Sequence, residues 1–99
     1  MKGAQILMNI TDVRIRKTYK DSKLLALVSI TIDDAIAVHD IKIIQGPERI
    51  FVAMPSRKEE NGTYRDIVHP IVASARQYIE DAIISKYNKF MEEAEQEDL

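Results

Sequence analysis

The spacing of apolar residues changes at Pro70, and this change separates two kinds of structure along the chain. Before Pro70, apolar and polar residues alternate in several short segments, which is the period of a β-strand. From Ile71 to Met91, apolar residues recur at intervals of three and four, which is the period of an amphipathic helix. The sequence therefore predicts an α+β fold, an antiparallel β-meander of about five strands followed by one long C-terminal α-helix over residues 72–95.

Five segments before Pro70 have the character of strands, and polar turns separate them. They cover residues 10–16, 24–32, 35–44, 49–54 and 63–69. Asp33-Asp34 is predicted to make a tight turn, and Asn61-Gly62 a type I′ turn. The alternation changes phase near Thr11-Asp12 and at His39-Asp40, which predicts a β-bulge at each place.

The second strand is apolar on both faces at its start, because Leu25 and Leu27 lie opposite the apolar series that begins with Leu24. This pattern indicates a strand that is sandwiched between layers or partly buried against another subunit. A small domain buries only about two thirds of its unfolded surface, and the chain has no cysteine for disulfides. Oligomerisation is then the common remaining route to more burial.

The length of 99 residues and the apolar content of 45% are typical of one globular domain. We expect a loose N-terminal leader over residues 1–8, a single domain over residues 9–91 and an acidic tail over residues 92–99. The lack of cysteine suits a reducing cytoplasm. No apolar run reaches the roughly 20 residues that a membrane span needs, and the N-terminus lacks a secretory signal. These features predict a cytoplasmic, soluble protein without a membrane partner.

Charge is distributed unevenly along the chain, whose formal net charge is −2. Residues 92–99 contain five acids and no base, so residues 1–91 carry 14 bases against 11 acids, a net charge of +3. A mildly basic body of this kind permits a phosphate-binding surface.

Basic residues fall in three places that could bind phosphate. The predicted hairpin carries Arg57, Lys58 and Arg65, and Arg76 lies one turn into the helix. The outward face of the first strand carries the third group, Arg14, Arg16 and Lys17. Guanidinium groups fork onto phosphate oxygens, and lysine adds a point charge.

Each group also has an interpretation without a ligand. The hairpin is then a solvated turn whose charge Glu59 and Glu60 offset. The first strand is then the wet side of a half-buried sheet, or an edge charged against unwanted pairing. The helix start offers free backbone N–H groups, unless Asp66 or His69 accepts their hydrogen bonds.

Two histidine–carboxylate combinations, His39-Asp40 and Asp66 with His69, are of the kind that can orient a catalytic base. No nucleophile motif, glycine-rich phosphate loop or metal-ligand spacing accompanies them. We therefore expect no catalytic residue, metal site, cofactor or small-molecule substrate, and we interpret both histidines as structural.

Three motifs in the same order resemble the stage V sporulation protein G family, the bacterial septation regulators. They are ITDVRIRK at 10–17, AVHDIKII at 37–44 and FVAMPSRK…NG..RDIVHPI at 51–71. The resemblance covers about residues 8–91 and implies a homodimeric α+β fold whose sheet is extended between subunits. It also implies a site-specific DNA- and RNA-binding regulator of septation, sporulation or gene expression, without catalytic activity.

By position, the resemblance assigns the basic residues of the family's hairpin to Arg57, Lys58 and Arg65, and its helix arginine to Arg76. The chain departs from the family at Val72-Ala73, which lacks an N-cap side chain, and at Tyr78, where relatives tend to have lysine. The near-neutral charge and Tyr78 favour an alternative function, a protein–protein adaptor of cell division or regulation without direct nucleic-acid binding.

Overall fold

The computed structural model describes residues 8–97, with side chains up to residue 94, and in this part of the chain six strands precede one helix. The elements are β1 (Ile10–Thr18), β2 (Leu24–Ile32), β3 (Ile36–Gln45), β4 (Ile50–Ala53), β5 (Ser56–Lys58), β6 (Tyr64–Asp66) and α1 (Ala73–Glu97). The predicted α+β class and the long C-terminal helix are confirmed.

The first four strands form an antiparallel sheet in the order β1-β2-β3-β4, as a meander predicts. β5 and β6 pair only with each other in a separate sheet, whereas the sequence predicted one strand at residues 63–69 and a loop at 56–60. Pro55 precedes β5 and has no N–H to donate, so ladder pairing is interrupted there. We call the β5–β6 unit the cationic hairpin.

Several predicted irregularities are confirmed. Asp33 and Asp34 have φ values of 53°, and the Ala35 N–H donates to the Ile32 carbonyl oxygen at 2.9 Å, so the tight turn is of type I′. Asp40 has a φ of 64° where the β2–β3 register slips, which is the predicted bulge at His39-Asp40. The bulge near Thr11-Asp12 is also present, and a second one lies between Ile15 and Lys17.

The predicted type I′ turn at Asn61-Gly62 is wrong. Gly62 has a φ of 90°, but Asn61 does not lie in the left-handed region. The Gly62 N–H donates to the Glu59 carbonyl at 3.0 Å, and the Glu59 N–H donates to the Thr63 carbonyl at 2.7 Å. These bonds make a three-residue loop, a type I turn followed by a glycine bulge. The Asn61 side chain accepts the Thr63 N–H at 3.1 Å and holds this geometry.

The core lies between the helix and one face of the four-stranded sheet. Its buried apolar residues are Ala26, Val28, Ile30, Val38, Ile41, Ile43, Val52, Met54, Ile79 and Ile83. Burying one of the Val, Ile or Met side chains contributes about 1.5–3 kcal/mol. None of the other described elements forms a layer on the opposite face, which we call the free sheet face. β2 is therefore not sandwiched within this part of the chain.

The helix is fixed to both edges of the sheet by hydrogen bonds. The Tyr78 hydroxyl accepts the Ile10 N–H of β1 at 3.0 Å. The Glu80 carboxylate accepts the Val52 N–H of β4 at 3.2 Å and pairs with Arg49 at 3.3 Å. Edge N–H groups that would face solvent are thus satisfied from the helix.

The predicted leader and acidic tail lie partly outside the described residues. Met8 packs against the core, and residues 1–7 lie outside the described residues. The helix begins at Ala73 and continues to Glu97, so most of the predicted acidic tail is helical. Within residues 8–97, no helix is long and apolar enough to cross a membrane.

Candidate nucleic-acid interface

The cationic hairpin brings together two of its three predicted cations. In the β5–β6 ladder, Arg57 is directly opposite Arg65, and Lys58 is opposite Tyr64. Cross-strand partners point to the same face of a sheet, whereas neighbours along a strand point to opposite faces. Arg57 and Arg65 therefore share one face of the hairpin, and Lys58 lies on the other.

The two arginines are only weakly neutralised within the protein. Arg65 Nε is 3.9 Å from Glu59 Oε1, and the Arg65 side chain is 79% exposed, so this pair contributes little to stability. No described carboxylate lies within salt-bridge distance of Arg57. Both arginines line an open cleft of about 210 Å³ together with Glu59, Asp66 and Ile67. The cleft therefore has the size and the donors to hold an anionic group.

The helix start lacks a side-chain cap, as the sequence predicts. The first helical bond runs from the Arg76 N–H to the Val72 carbonyl at 3.2 Å. Within the described residues, no side chain accepts the N–H groups of residues 73–75, and neither Asp66 nor His69 does so. Arg76 itself is exposed. Its charge is thus added to the positive end of the helix dipole.

The segment between the hairpin and the helix is apolar and open to solvent. Ile67 is 62% exposed, Ile71 86% and Val72 53%. An exposed apolar surface of this kind is typical of a protein contact rather than of a phosphate site.

The three predicted cations of β1 belong to the free sheet face and are held in different ways. Arg14 Nε donates to Asp12 Oδ2 at 2.8 Å, and this hydrogen bond lowers the pKa of the Asp12 carboxyl. Asp12 therefore remains ionised at neutral pH and offsets the Arg14 charge. Arg16 Nε donates to Ser29 Oγ at 3.2 Å. The Lys17 ammonium lies 5.3 Å from the Tyr19 ring centroid, within reach of a cation–π interaction.

The two histidines have different surroundings. His39 Nδ1 is 2.9 Å from Ser29 Oγ, so His39 is tied to β2 at the bulge. His69 is exposed before the helix and has no described side-chain hydrogen bond. Within residues 8–97, no three His, Cys, Asp or Glu side chains are placed to hold a metal ion.

Sequence reasoning did not single out Lys42. It lies between Ile41 and Ile43 in an apolar strand, and its side chain is exposed on the free sheet face opposite Leu27. The alternation of apolar and polar residues in β3 indicates that Lys42 faces outward. It does not indicate that Lys42 lies near the cations of β1, because that depends on the register of β1, β2 and β3.

The fold and surface define a small α+β protein with an exposed cationic hairpin and a sheet braced by one long helix. The SpoVG family model matches residues 8–89, and the chain belongs to this family. Relatives named "Putative septation protein SpoVG" include one from Agathobacter rectalis, 54% identical over 86% of this chain and 98% of that protein. The relative from Desulforudis audaxviator is 56% identical over 81% of this chain and 91% of its own length. The one from Clostridium botulinum is 50% identical over 92% of this chain and 100% of its own length. The resemblance predicted from the three motifs is confirmed.

Proposed function

We propose that this septation-family chain is a regulator that binds DNA and RNA through the cationic hairpin and the adjoining helix start. Occupancy of its target would alter transcription or translation in septation or sporulation. The observation that carries the proposal is the directly opposed pair Arg57 and Arg65.

Like charges directly opposite each other destabilise a two-stranded ladder. The Cα atoms of such partners are only about 4.5–5.5 Å apart, so the two guanidinium groups can reach one phosphate between them. A phosphate would replace their repulsion by two charge-assisted hydrogen-bonded contacts. Lys58 on the other face and Arg76 on the helix would add charge along the same end of the molecule. These contacts position the nucleic acid, and base contacts supply sequence preference.

We also propose that the chain is a homodimer formed by sheet extension at β3. β4 pairs only with residues 42–45 of β3, so the outer edge of residues 36–40 is free of a strand within the described chain. Exposed apolar side chains lie near this edge: Ile36, Ile67 and Val68 line a cleft along it, and Ile71 and Val72 line the adjoining cleft at Val38. A second copy would pair the free backbone groups and bury these side chains. Sedimentation equilibrium should give twice the chain mass at micromolar concentration, and a monomer there would refute the dimer.

The double variant Arg57→Gln/Arg65→Gln tests the hairpin. The measurement is fluorescence anisotropy with a mixed-sequence duplex of about 20 base pairs across a salt series. Each phosphate contact contributes about 0.9 to the slope of log K against log salt. Because the two arginines share one phosphate, we expect the slope to decrease by about 0.9 and the affinity to fall most at low salt.

Lys86→Gln/Lys89→Gln is the matched control, because it removes the same charge from exposed positions in the second half of the helix. It should keep the wild-type slope. If the hairpin variant and the wild type have the same affinity at every salt concentration, the hairpin proposal is wrong.

A second candidate function is a protein–protein adaptor in septation. The exposed apolar surface at Ile67, Ile71 and Val72 favours it, because such a surface suits a partner as well as a second copy. Absence of duplex and single-strand binding by the wild-type chain, even at low salt, would support the adaptor and refute the nucleic-acid proposal.

A further inference from the structure

The free sheet face carries a row of side chains with a cation at each end. In the sheet register, Lys17 of β1 is opposite Leu27 of β2, and Leu27 is opposite Lys42 of β3. Neighbouring strands lie about 4.8 Å apart, so the two lysine Cα atoms are about 10 Å apart with the leucine between them. Both lysines are exposed, and Leu27 is half-buried.

The cations of this row have no acidic partner. Within the described residues, no carboxylate lies within 4 Å of Lys17, Lys42 or Arg16. Arg16 is held at Nε by Ser29, which leaves its two terminal nitrogens free to donate. Arg14 differs, because its partner at Nε is the Asp12 carboxylate, which offsets its charge.

The same face carries apolar groups beside the lysines. Ile44 of β3 is opposite Phe51 of β4, two residues along β3 from Lys42 and on the same face. Both are half-buried, although none of the described elements covers them. Gly46 lies against the Phe51 ring, where an added Cβ would come within 3.1 Å of the ring atom Cε1. The ring therefore has a defined place on the face.

We propose that the free sheet face is a second nucleic-acid site, which binds a single strand. Lys17, Lys42 and Arg16 contact phosphates, and a base stacks on Phe51 beside Ile44. Cations that follow a backbone and an aromatic surface that accepts unpaired bases are the two components of single-strand binding sites. A duplex cannot present its base faces to Phe51, because they are stacked inside the helix. The inference rests on the proposed function, in that the chain binds nucleic acid.

A second copy of the chain is a poorer occupant of this face. Symmetric dimers present the same patch from both subunits, so Lys17 and Lys42 would face cations like themselves. The apolar edge of β3 has no such conflict, and we assign the subunit contact there.

The test compares three probes by fluorescence anisotropy: an oligothymidylate and an oligouridylate of about 15 nucleotides, and the duplex used for the hairpin. In Lys17→Gln/Lys42→Gln, the single-strand slope of log K against log salt should decrease by about 1.4, since each contact contributes about 0.7. Duplex affinity should change by less than about twofold, and Lys86→Gln/Lys89→Gln should affect neither probe. The DNA and RNA strands should respond alike, because phosphates and base faces are common to both.

Phe51→Leu tests stacking without changing charge. It should weaken oligothymidylate binding by about fivefold or more and leave the salt slope unchanged. An unchanged affinity would refute the role of Phe51, and a thermal denaturation curve verifies that each variant is folded.

The outcomes distinguish this inference from the proposed function. If the wild type binds no probe at low salt, the nucleic-acid function itself fails. If the duplex binds but the single strand does not, or if Lys17→Gln/Lys42→Gln binds the single strand like wild type, only the sheet-face inference fails. A change of sedimentation mass in that variant would make the face a subunit contact and also overturn the inference.

Discussion

Ser29 lies at the centre of the sheet and is only 6% exposed. Among the described residues, it is the one polar residue that is buried. Its hydroxyl joins two strands, because Arg16 Nε on β1 donates to Oγ and His39 Nδ1 on β3 lies 2.9 Å away. Arginine can only donate, so the hydroxyl proton is free to point to Nδ1. The hydroxyl can thus donate to Nδ1, or accept from it with its second lone pair, according to the tautomer of His39.

Replacing Ser29 by alanine should lower the free energy of unfolding by about 1 kcal/mol, since it removes the acceptor of Arg16 and the hydrogen-bond partner of His39. Both partners are near the surface and can bind water, which keeps the loss small. Urea denaturation followed by circular dichroism measures the change. Ser85→Ala on the exposed helix surface is the control and should be neutral or slightly stabilising. Equal stability of wild type and Ser29→Ala would contradict this assignment.

Sequence reasoning placed His39 at a bulge as a structural residue, and the hydrogen bond agrees with that interpretation. Its partner could not be identified, because Ser29 becomes its neighbour only through the β2–β3 register, which the bulge itself shifts. Local patterns predict which face a side chain occupies. They do not predict which residue on the next strand lies beside it.

At the level of the elements, the helix braces the two edge strands through Tyr78 and Glu80. The resemblance to the family led to the expectation of lysine at position 78, but the chain has tyrosine there, and its hydroxyl accepts the Ile10 N–H. Its structural role in this chain is therefore to attach β1 to the helix. The periodicity assigned Tyr78 to the apolar stripe but could not indicate that its hydroxyl reaches an edge strand 68 residues earlier.

Tyr78→Phe removes this hydroxyl while keeping the ring in place. We expect the free energy of unfolding to decrease by about 0.5–1.5 kcal/mol and the Ile10 amide to exchange faster with solvent. Hydrogen exchange measured by NMR reports on that amide directly. Tyr87→Phe is the matched control, because Tyr87 packs against the core and no described hydrogen bond involves its hydroxyl. Equal protection of the Ile10 amide in both variants would exclude the brace.

The strands and the helix were predictable from hydrophobic period, whereas the division into two sheets was not. Alternation within residues 63–69 indicates a strand but does not say which edge it pairs with. Pro55 and the three-residue loop decide that β6 pairs with β5 instead. This pairing also determines the candidate site, since it places Arg57 beside Arg65 and turns Lys58 away.

At the scale of the whole molecule, opposite charges lie at opposite ends of the helix. Arg76 is in the first turn, and the acids of residues 92–97 are in the last turns. At 1.5 Å per residue, Arg76 and Glu92 are about 24 Å apart along the axis. This separation exceeds the Debye length at physiological salt, which is about 8 Å, so the charges are screened from each other there. At 0.01 M salt the Debye length is about 30 Å, which is longer than the separation.

The acidic end should therefore affect nucleic-acid binding only at low salt. We expect the variant Glu92→Gln/Glu93→Gln/Glu95→Gln/Glu97→Gln, which retains the helix, to bind the duplex within about twofold of wild type at 0.15 M salt. Near 0.01 M salt it should bind several-fold more tightly, because repulsion between its carboxylates and phosphate then reaches the hairpin. Anisotropy titrations at the two salt concentrations measure both values. A large gain in duplex affinity already at 0.15 M salt would contradict this prediction, which assumes that the acidic end and the cations belong to one chain. It would instead mean that the acidic end of a second subunit lies close to the cationic hairpin.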